Sequence, residues 1–583
     1  MTVVAANVVQ RGCGCDDVET VMCGIAALIR CSSWDASKPP WEGGHAGDGA
    51  LPSEEQLLDA IRRRGPDSQR QLVLHDGMVT LAASTLCLRG PATFQPVKSS
   101  TGNVLLYNGQ LFGNEDLVSG QESDTLAVLA LLETAASAAD VAGAVASLKG
   151  PWSIIYWQQS TKRLWFGRDA LGRRSLQVMV SEGQGCALSS SAPGGFLFED
   201  VPPFGLNYID VSTSSPSIVT VWRHLVELNA PTVPGGPPSP LNRMCGLPPQ
   251  MLRTEQPERT PTSGTDSAYA DRLFHSLRDA VARRLVGLGK MHPTSEGSRC
   301  AVLFSGGIDS MVVARLVDQL LADDEPIDLL NVSFGSTPFQ SPDRTAALEG
   351  VHELCDLSPS RTWRLVGVNV TTEDIDSERR RIEELIFPAS TPMDTSIATA
   401  LWFAVRGRGE LLRPQTNDSA TYQTTARVVF SGLGADEQLA GYKGRHRTTF
   451  AKGGYEALQN ELDGDLARLW WRNLGRDDRV VADHGRELRL PFLDENVVSM
   501  IASCPIRSIC DLTEEDGIGD KRILRQVSIF LGLSEKTAYR QKRAMQFGSR
   551  SKKFVELDRS ESAIGSRRHK RREAKIRADS RSG

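Results

Sequence analysis

Two short stretches in the second half of the chain collect residue types that handle phosphate and metal. Ser305-Gly306-Gly307-Ile308-Asp309-Ser310 directly follows the apolar run Ala301 to Phe304, and Met311 to Leu321 continues with helical periodicity. A strand, a glycine turn and a helix start aim several backbone N–H groups and the positive end of a helix dipole at one point, which suits phosphate or pyrophosphate. Gly306 and Gly307 let the backbone approach a ligand without a side chain in the way. Ser305 and Ser310 can donate hydroxyl hydrogen bonds, and Asp309 can hold Mg2+ against the phosphates. A tight turn with no ligand would not call for this whole set. No Gly-Lys-Ser/Thr follows, so the loop is not a Walker loop. The second stretch is Ser431-Gly432-Leu433-Gly434-Ala435-Asp436-Glu437, then Gly441-Tyr442, after the strand-like Val428-Val429-Phe430.

The elements that must position these residues are set by coarser features. At 583 residues the chain exceeds a single core and is expected to form two or three domains. With 23% charged residues and a net charge of -5, it has no global pull toward nucleic acid or membrane. Eleven cysteines are too sparse for a disulfide framework, and Cys13 and Cys15 read as incidental. Thr125 to Leu148 is apolar but contains Glu133 and Asp140, so a buried helix pair is expected rather than a bilayer helix. Asp16, Asp17 and Glu19 stand where a secretory signal needs its apolar core. The expectation is a reducing, cytoplasmic location.

Composition breaks divide the chain. Pro231 to Pro261 holds nine prolines and no aromatic residue, a linker or surface strap. Glu561 to Gly583 holds eight Lys or Arg and three acids, which reads as a solvated tail, with nuclear targeting or anion binding as the sharper alternative. Residues 22–225 show short apolar runs between turn residues (Gly24 to Ile29, Leu72 to Leu74, Val104 to Tyr107, Trp152 to Trp157, Arg163 to Phe166), predicting a β-rich layered domain with a few helices such as Asp124 to Ala135. In 268–550, strand-like runs (Ala301 to Phe304, Leu329 to Phe334, Leu365 to Val370, Arg427 to Phe430) alternate with helical stretches, predicting a parallel sheet covered on both faces. Trp402, Phe403, Trp470 and Trp471 read as packing residues, and Gly407 to Thr425 as an exposed insertion. The five expected segments are a leader (1–21), a β-rich layered domain (22–225), the linker (226–267), a phosphate-binding α/β domain (268–550) and the tail (551–583).

Taken in order, the motifs resemble those of the glutamine-dependent asparagine synthetases, most closely the asparagine synthetase domain-containing branch. The Ser305 loop resembles a pyrophosphatase-type loop, and 431–437 with Gly441-Tyr442 resembles SGxGxDE followed by GGY. Glu487-Leu488-Arg489-Leu490-Pro491-Phe492-Leu493-Asp494 resembles E-x-R-x-PFLD, Asp520 to Arg525 the K-x-x-LR helix, and Arg540 to Arg550 a run of the domain-containing branch. The resemblance implies that Ser305, Gly306, Gly307, Asp309, Ser310 and Ser431 hold ATP and that Val332 and Gly432 contact the adenosine. It also implies that Asp309 and Asp436 bind Mg2+, and that Lys521 neutralises the leaving pyrophosphate. The implied reaction is adenylation of the aspartate side chain, then attack of ammonia to give asparagine, AMP and pyrophosphate. The family's glutamate between the glycines of SGEGxDE is Leu433 here, and leucine can neither take a proton nor pair with a cation.

The first segment resembles N-terminal-nucleophile glutamine amidotransferases. Met22-Cys23-Gly24-Ile25 resembles their start, where the cysteine's free amine serves as base for its own thiol. Arg64-Gly65-Pro66-Asp67 matches their RGPD turn, Asn108-Gly109 the oxyanion pair, Ser123-Asp124-Thr125 the element whose Asp124 binds the substrate amine, and Gly167 to Arg174 the R-D-x-x-G-x-R turn. Three departures accompany these matches. Twenty-one residues precede Met22, so a free amine on Cys23 requires cleavage after Met22 or initiation there. The arginine for the glutamine carboxylate falls near Thr85, and NGE is Asn108-Gly109-Gln110. The implied architecture is α/β: a four-layer αββα amidotransferase domain joined to a doubly wound ATP-pyrophosphatase domain. Three readings stand: an asparagine synthetase-like ligase, a same-fold enzyme amidating another carboxylate, and a nucleotide-binding scaffold. Expected partners are glutamine, aspartate and ATP, with no membrane and no nucleic acid outside the tail's alternative; a homodimer is compatible with all three.

Overall fold

Apolar runs without alternation in the sequence become strands buried on both faces. In the strand Thr20–Arg30, Ile25, Ala27 and Ile29 pack between two sheets with Val79, Leu81, Val104, Leu106 and Trp157. Ala26 and Leu28 face the opposite way, against Leu57 and Ile61 of the helix Glu54–Arg62. In the second sheet, Leu105, Tyr107, Ile154 and Tyr156 meet Val128, Leu132 and Val141 of the helices Asp124–Glu133 and Ala138–Ser147. The result is four layers, helix on sheet on sheet on helix. The computed structural model describes residues 20–35, 49–88, 93–112, 123–222, 226–227, 244–245, 251, 253, 265–286, 288, 297–336, 339–412 and 420–555.

The first six-stranded sheet is antiparallel, with Thr20–Arg30 between Gly185–Ser189 and Val79–Cys87. The second, also six-stranded, places Val104–Gly109 beside Trp152–Gln158. The expected helix pair is the two outer helices of this layer, each started by a serine cap that takes a first-turn N–H.

The second half builds a seven-stranded sheet. Trp363–Val370, Ile327–Phe334, Cys300–Leu303, Val428–Phe430 and Glu487–Arg489 run parallel in that order. Cys300 and Val302 feed one core and Ala301 the other, as expected for a sheet covered on both faces. Gly407 to Thr425 is not simply an insertion. Arg408–Leu411 and Ala420–Gln423 add an antiparallel edge hairpin to the sheet. Its half-exposed, polar residues hide the pairing from a sequence reading, and Gly409 allows the close approach, since a Cβ there would lie 2.4 Å from the Gly367 carbonyl oxygen.

Trp402 and Phe403 are buried in this domain's core. Trp470 reaches across to the first domain, edge-on to Phe204 at 5.5 Å between centroids. The Pro-rich stretch contributes a short antiparallel pair, Val226–Glu227 with Met244–Cys245, and Arg253, which donates to the Gln438 carbonyl at 2.6 Å. The leader before Thr20 (with Cys13 and Cys15) and the basic tail from 556 onward lie outside the described residues. Among those described, no helix is long and apolar enough to cross a membrane.

Candidate functional sites in the two domains

The phosphate-handling residues converge where three strands end. The strand Cys300–Leu303 leads through Ser305, Gly306 and Gly307 into the helix Ile308–Leu320. Gly306 is left-handed (φ +73°), and a Cβ there would sit 2.3 Å from the Ala346 backbone. Only glycine fits this turn. The Gly307 N–H donates to Ser305 Oγ (3.3 Å), and Ser310 Oγ donates to the Gly307 carbonyl (2.9 Å). The neighbouring loop comes equally close: a Cβ at Gly432 would lie 2.7 Å from Asp309 Cβ.

Between these loops sits one fully buried ammonium. Lys521 Nζ donates to Asp309 Oδ1 and Oδ2 (2.7 and 2.6 Å) and contacts Asp436 Oδ1 (2.7 Å); Lys542 Nζ lies 2.6 Å from Asp436 Oδ2. Gly441 makes room for the group, because a Cβ there would fall 1.9 Å from Asp436 Oδ1. Lys521 is itself left-handed (φ 52°), a conformation that costs about 1–2 kcal/mol and is held by its N–H bond to the Leu439 carbonyl (3.0 Å). Burial works against the Lys521 ammonium, but the two carboxylates outweigh it and raise its pKa. Burial pushes Asp436 up, while Lys521 and Lys542 together hold it well below the usual carboxylate range. Asp309 is pushed up by burial and by the Asp436 charge, with chiefly Lys521 opposing. Two carboxylates sharing one ammonium are thereby driven apart.

The donor set fits a magnesium–nucleotide. Two carboxylates brought side by side suit an ion that takes one or two protein oxygens and completes its shell with phosphate and water. Asp309 and Asp436 would hold it, with both lysines free to turn toward phosphate oxygens. The loops open on a cavity of about 1270 Å³ lined by Ser305, Val332, Ser431, Gly432, Leu433 and Arg543, among others. Leu433 packs against the core that contains Ala400 and Leu401, so it forms an apolar wall where a charge was expected. Glu437 is also on the wall; burial and the Asp436 charge push its carboxyl up to about 7, and the Tyr442 hydroxyl donates to it.

At the other site, Cys23 lies on the central strand of its sheet, its backbone opposite Thr85; its side chain lies outside the described residues. Gly24 is required by crowding, since a Cβ there would sit 2.4 Å from Ser84 Oγ. Among the described residues, Thr85 Oγ1 is buried without a partner, and so are both amide atoms of Asn108 at the end of the strand Val104–Gly109. A buried amide with neither donor nor acceptor used costs folding energy unless something else pairs with it. Asp124 opens its helix, and its Oδ2 accepts from the Leu111 N–H (3.1 Å).

Other residues of these motifs face the second domain. With its amide oriented by its neighbours, Gln110 donates to Glu487 Oε1 (2.8 Å) and accepts from Arg489 Nη2 (2.7 Å), so it faces the second domain. Arg64 meets Asp478 (2.7 Å), Asp67 meets Arg427 (2.6 Å), and Arg173 meets Glu495. The RGPD and R-D-x-x-G-x-R turns are thus interdomain contacts. Sequence reasoning assigned no role to Lys542, or to Arg468, Arg472 and Arg476 along the cavity. The one available signal was the charged run Arg476-Asp477-Asp478-Arg479, all of it buried.

Comparison with known proteins places these features in a family. Residues 22–201 match the model of a glutamine amidotransferase domain, and 273–470 with 451–580 match that of asparagine synthase. The chain is 35% identical to the Mus musculus asparagine synthetase domain-containing protein 1 over 91% of this chain and 97% of that one. It is 37% identical to the Bos taurus protein of the same name (86% and 93% covered). It is 30% identical to the Saccharomyces cerevisiae asparagine synthetase domain-containing protein YML096W (88% and 92%).

Proposed function

The chain belongs to the asparagine synthetase domain-containing proteins, and on that footing we propose that it activates a carboxylate with ATP and converts it to an amide with glutamine-derived ammonia. Aspartate is the first acceptor to test. The observation that carries this reading is the Lys521 ammonium set between Asp309 and Asp436 beneath two glycine loops. The acceptor carboxylate oxygen would attack the α-phosphorus and expel pyrophosphate. Lys521 and Lys542 would stabilise the charge gathering on that leaving group, a task suited to compact ammonium groups in a dry site. Bound magnesium would supply further charge neutralisation at the phosphates. Ser305, Gly306, Gly307 and Ser310 would hold the phosphates, and Val332, Ser431 and Gly432 would line the adenosine side.

In the first domain, the Cys23 thiolate would attack the glutamine amide, with Asn108 and Gly109 donating to the oxyanion and Asp124 receiving the substrate amine. Ammonia released there would attack the acyl carbon in the second domain and displace AMP. The partnerless amide of Asn108 supports this role, because an oxyanion donor must be free until substrate arrives. Leu433 leaves the deprotonation of ammonia to another group or to water.

The test is carboxylate-dependent exchange of pyrophosphate into ATP. Exchange with aspartate supports the full reading, and exchange only with another acid keeps the chemistry and changes the acceptor. Tight ATP binding without exchange for any acid would replace both with a nucleotide-binding scaffold. Mass spectrometry of the N-terminus decides the Cys23 step: active glutaminase retaining residues 1–22 would refute it.

A further inference from the structure

One rim of the large cavity is built from a segment whose charge is unlike that of the rest of the chain. Residues 536–583 hold sixteen Lys or Arg and five acids, so within a net charge of -5 the preceding residues carry sixteen more acids than bases. Residues 536–555 alone hold seven Lys or Arg and no acid. This stretch is anchored, because the Phe334 N–H donates to the Ser549 carbonyl (3.0 Å) and Val555 is fully buried. Lys536, Arg540, Lys542, Arg543 and Arg550 line the cavity from it. Part of this charge is already answered. Lys542 meets Asp436, and Glu349 takes both Lys536 (3.2 Å) and Arg540 (2.9 Å). Asp343, buried on the cavity wall, interacts electrostatically with Arg543. Arg550 and Lys553 are exposed and make no ion pair among the described residues, and Arg543 is exposed as well.

Aromatic side chains are interleaved with these cations. Tyr539 is 47% exposed, Phe547 56% and Met545 38%. Lys552 Nζ stands 5.1 Å from the Phe547 ring centroid, so cation and ring share one surface. Single exposed apolar residues are ordinary; three within nine residues of a segment without an acid fit a specific use. Bases stack on aromatic rings and guanidinium planes while phosphates meet Lys and Arg. An acidic peptide would engage the cations and leave the rings idle. A membrane surface calls for a long amphipathic helix, and the helix here, Met545–Gly548, has four residues. Basic sequence continues past 555 in Arg567-Arg568-His569-Lys570-Arg571-Arg572, while the acid excess of the remaining chain turns a polyanion away from other faces.

We propose that the rim formed by residues 536–555 binds single-stranded nucleic acid at the cavity mouth. Bases stack on Tyr539 and Phe547, and phosphates pair with Arg543, Arg550 and Lys553. The basic residues beyond 555 add attraction that is independent of base sequence. This surface goes beyond carboxylate activation and does not depend on it.

The experiment titrates the full chain into a fluorescein-labelled, unstructured single strand about 20 nucleotides long, as RNA and as DNA, and reads anisotropy as salt rises. Binding in the micromolar range is expected at about 0.1 M salt, falling steeply at higher salt. Tyr539→Ala with Phe547→Ala is expected to weaken the strand about tenfold or more, while heparin, which has charge but no bases, binds as before. Arg550→Gln with Lys553→Gln is expected to weaken both ligands and flatten the salt dependence. Phe547→Leu keeps apolar bulk without the ring and is expected to weaken the strand too, which separates stacking from a folding defect. RNA and DNA bound alike support stacking with phosphate contact, and tighter RNA binding adds contact to the 2′-hydroxyl. A strand that the wild-type chain does not bind, or binds with no dependence on the two rings, overturns the proposal. So does binding lost only when Arg567, Arg568, Lys570, Arg571 and Arg572 are all changed to Gln, with the rim variants unaffected. Tighter binding to phosphatidylserine vesicles or to polyglutamate than to either strand overturns it in favour of a membrane or an acidic protein.

Discussion

Replacing Asp478 by asparagine tests whether the two domains are held as one unit by a buried charge. Its carboxylate accepts from Arg64 (2.7 Å) and Arg174 (3.3 Å) of the first domain and from the Ser175 N–H (3.0 Å), and these acidic and basic side chains are 1–2% exposed. Asparagine keeps the shape and removes the charge, leaving two guanidiniums with less compensation. Breaking a buried pair from one side costs about 3–5 kcal/mol. At about 2–4 °C per kcal/mol for domains of this size, the melting transition should fall by about 6–20 °C. The pH dependence carries the same signature. Burial pushes the Asp478 carboxyl up, but Arg64 and Arg174 outweigh it, so the folded pKa lies below the ordinary 3.8. A depressed pKa gives stability that is present above the unfolded value and lost as pH falls through the folded one. Wild type should therefore lose an interface contribution below about pH 4, and D478N should lack that component. The assay is calorimetric melting between pH 3 and 8, with proteolysis reporting domain separation. Melting within 2 °C of wild type and an unchanged acid limb would refute this account. Replacing Arg64 and Arg174 by Met together with Asp478→Leu should recover part of the loss, because apolar groups leave no orphaned charge.

Three further outcomes follow from the geometry. Lys521→Met should reduce pyrophosphate exchange by about 10²–10³ or more, the effect of losing one preorganised donor; a loss below tenfold would remove Lys521 from the charge-stabilising role. Gly306→Ala forces a Cβ to 2.3 Å from the Ala346 backbone at positive φ, so ATP affinity measured by titration should drop at least tenfold. Wild-type affinity in that variant would rule out the tight loop. Asn108→Ala should lower glutaminase kcat by about 10²–10³ without lowering the melting temperature, since the amide has no partner to lose; a protein that melts well below wild type would show that Asn108 is structural.

The sequence made both cores legible because buried strands are written as unbroken apolar runs, as in Trp152–Gln158 and Ile327–Phe334. The glycine loop was legible for a related reason, since strand, turn and helix are contiguous in the chain. What stayed hidden depends on distant residues meeting. Lys542 is separated from Lys521 by the helices Arg522–Phe530 and Glu535–Ala538, and no spacing along the chain shows that both lysines reach Asp436. Of the cavity arginines, Arg445 lies before the break at Gly453 and Gly454, while Arg468, Arg472 and Arg476 recur every four residues through the π-turn into the helix Gly475–Ala482, a spacing that does not by itself tell a cavity wall from a solvated helix face. The edge hairpin at Arg408–Leu411 escaped because one exposed face and a glycine look like a loop.

The departures from the family pattern share a physical logic. Gln110 is not a weakened ligand in the glutamine pocket; it bridges Glu487 and Arg489 across the domain boundary, where a carboxylate would face Glu487 and repel it. Thr85 is small and buried beside the Cys23 backbone, and its hydroxyl remains available to a ligand. Leu433 continues an apolar wall that Ala400 and Leu401 already form. Glutamate at 433 would have to be desolvated against that wall, at a cost of several kcal/mol unless a cation paired with it. The arginines that could do so are engaged with Glu461, Asp465, Asp394 and Asp477, except for Arg472. Leucine at 433 keeps that wall uncharged in a cavity where Arg445, Arg468, Arg472 and Arg476 are matched in number by Glu461, Asp465, Asp394 and Asp477.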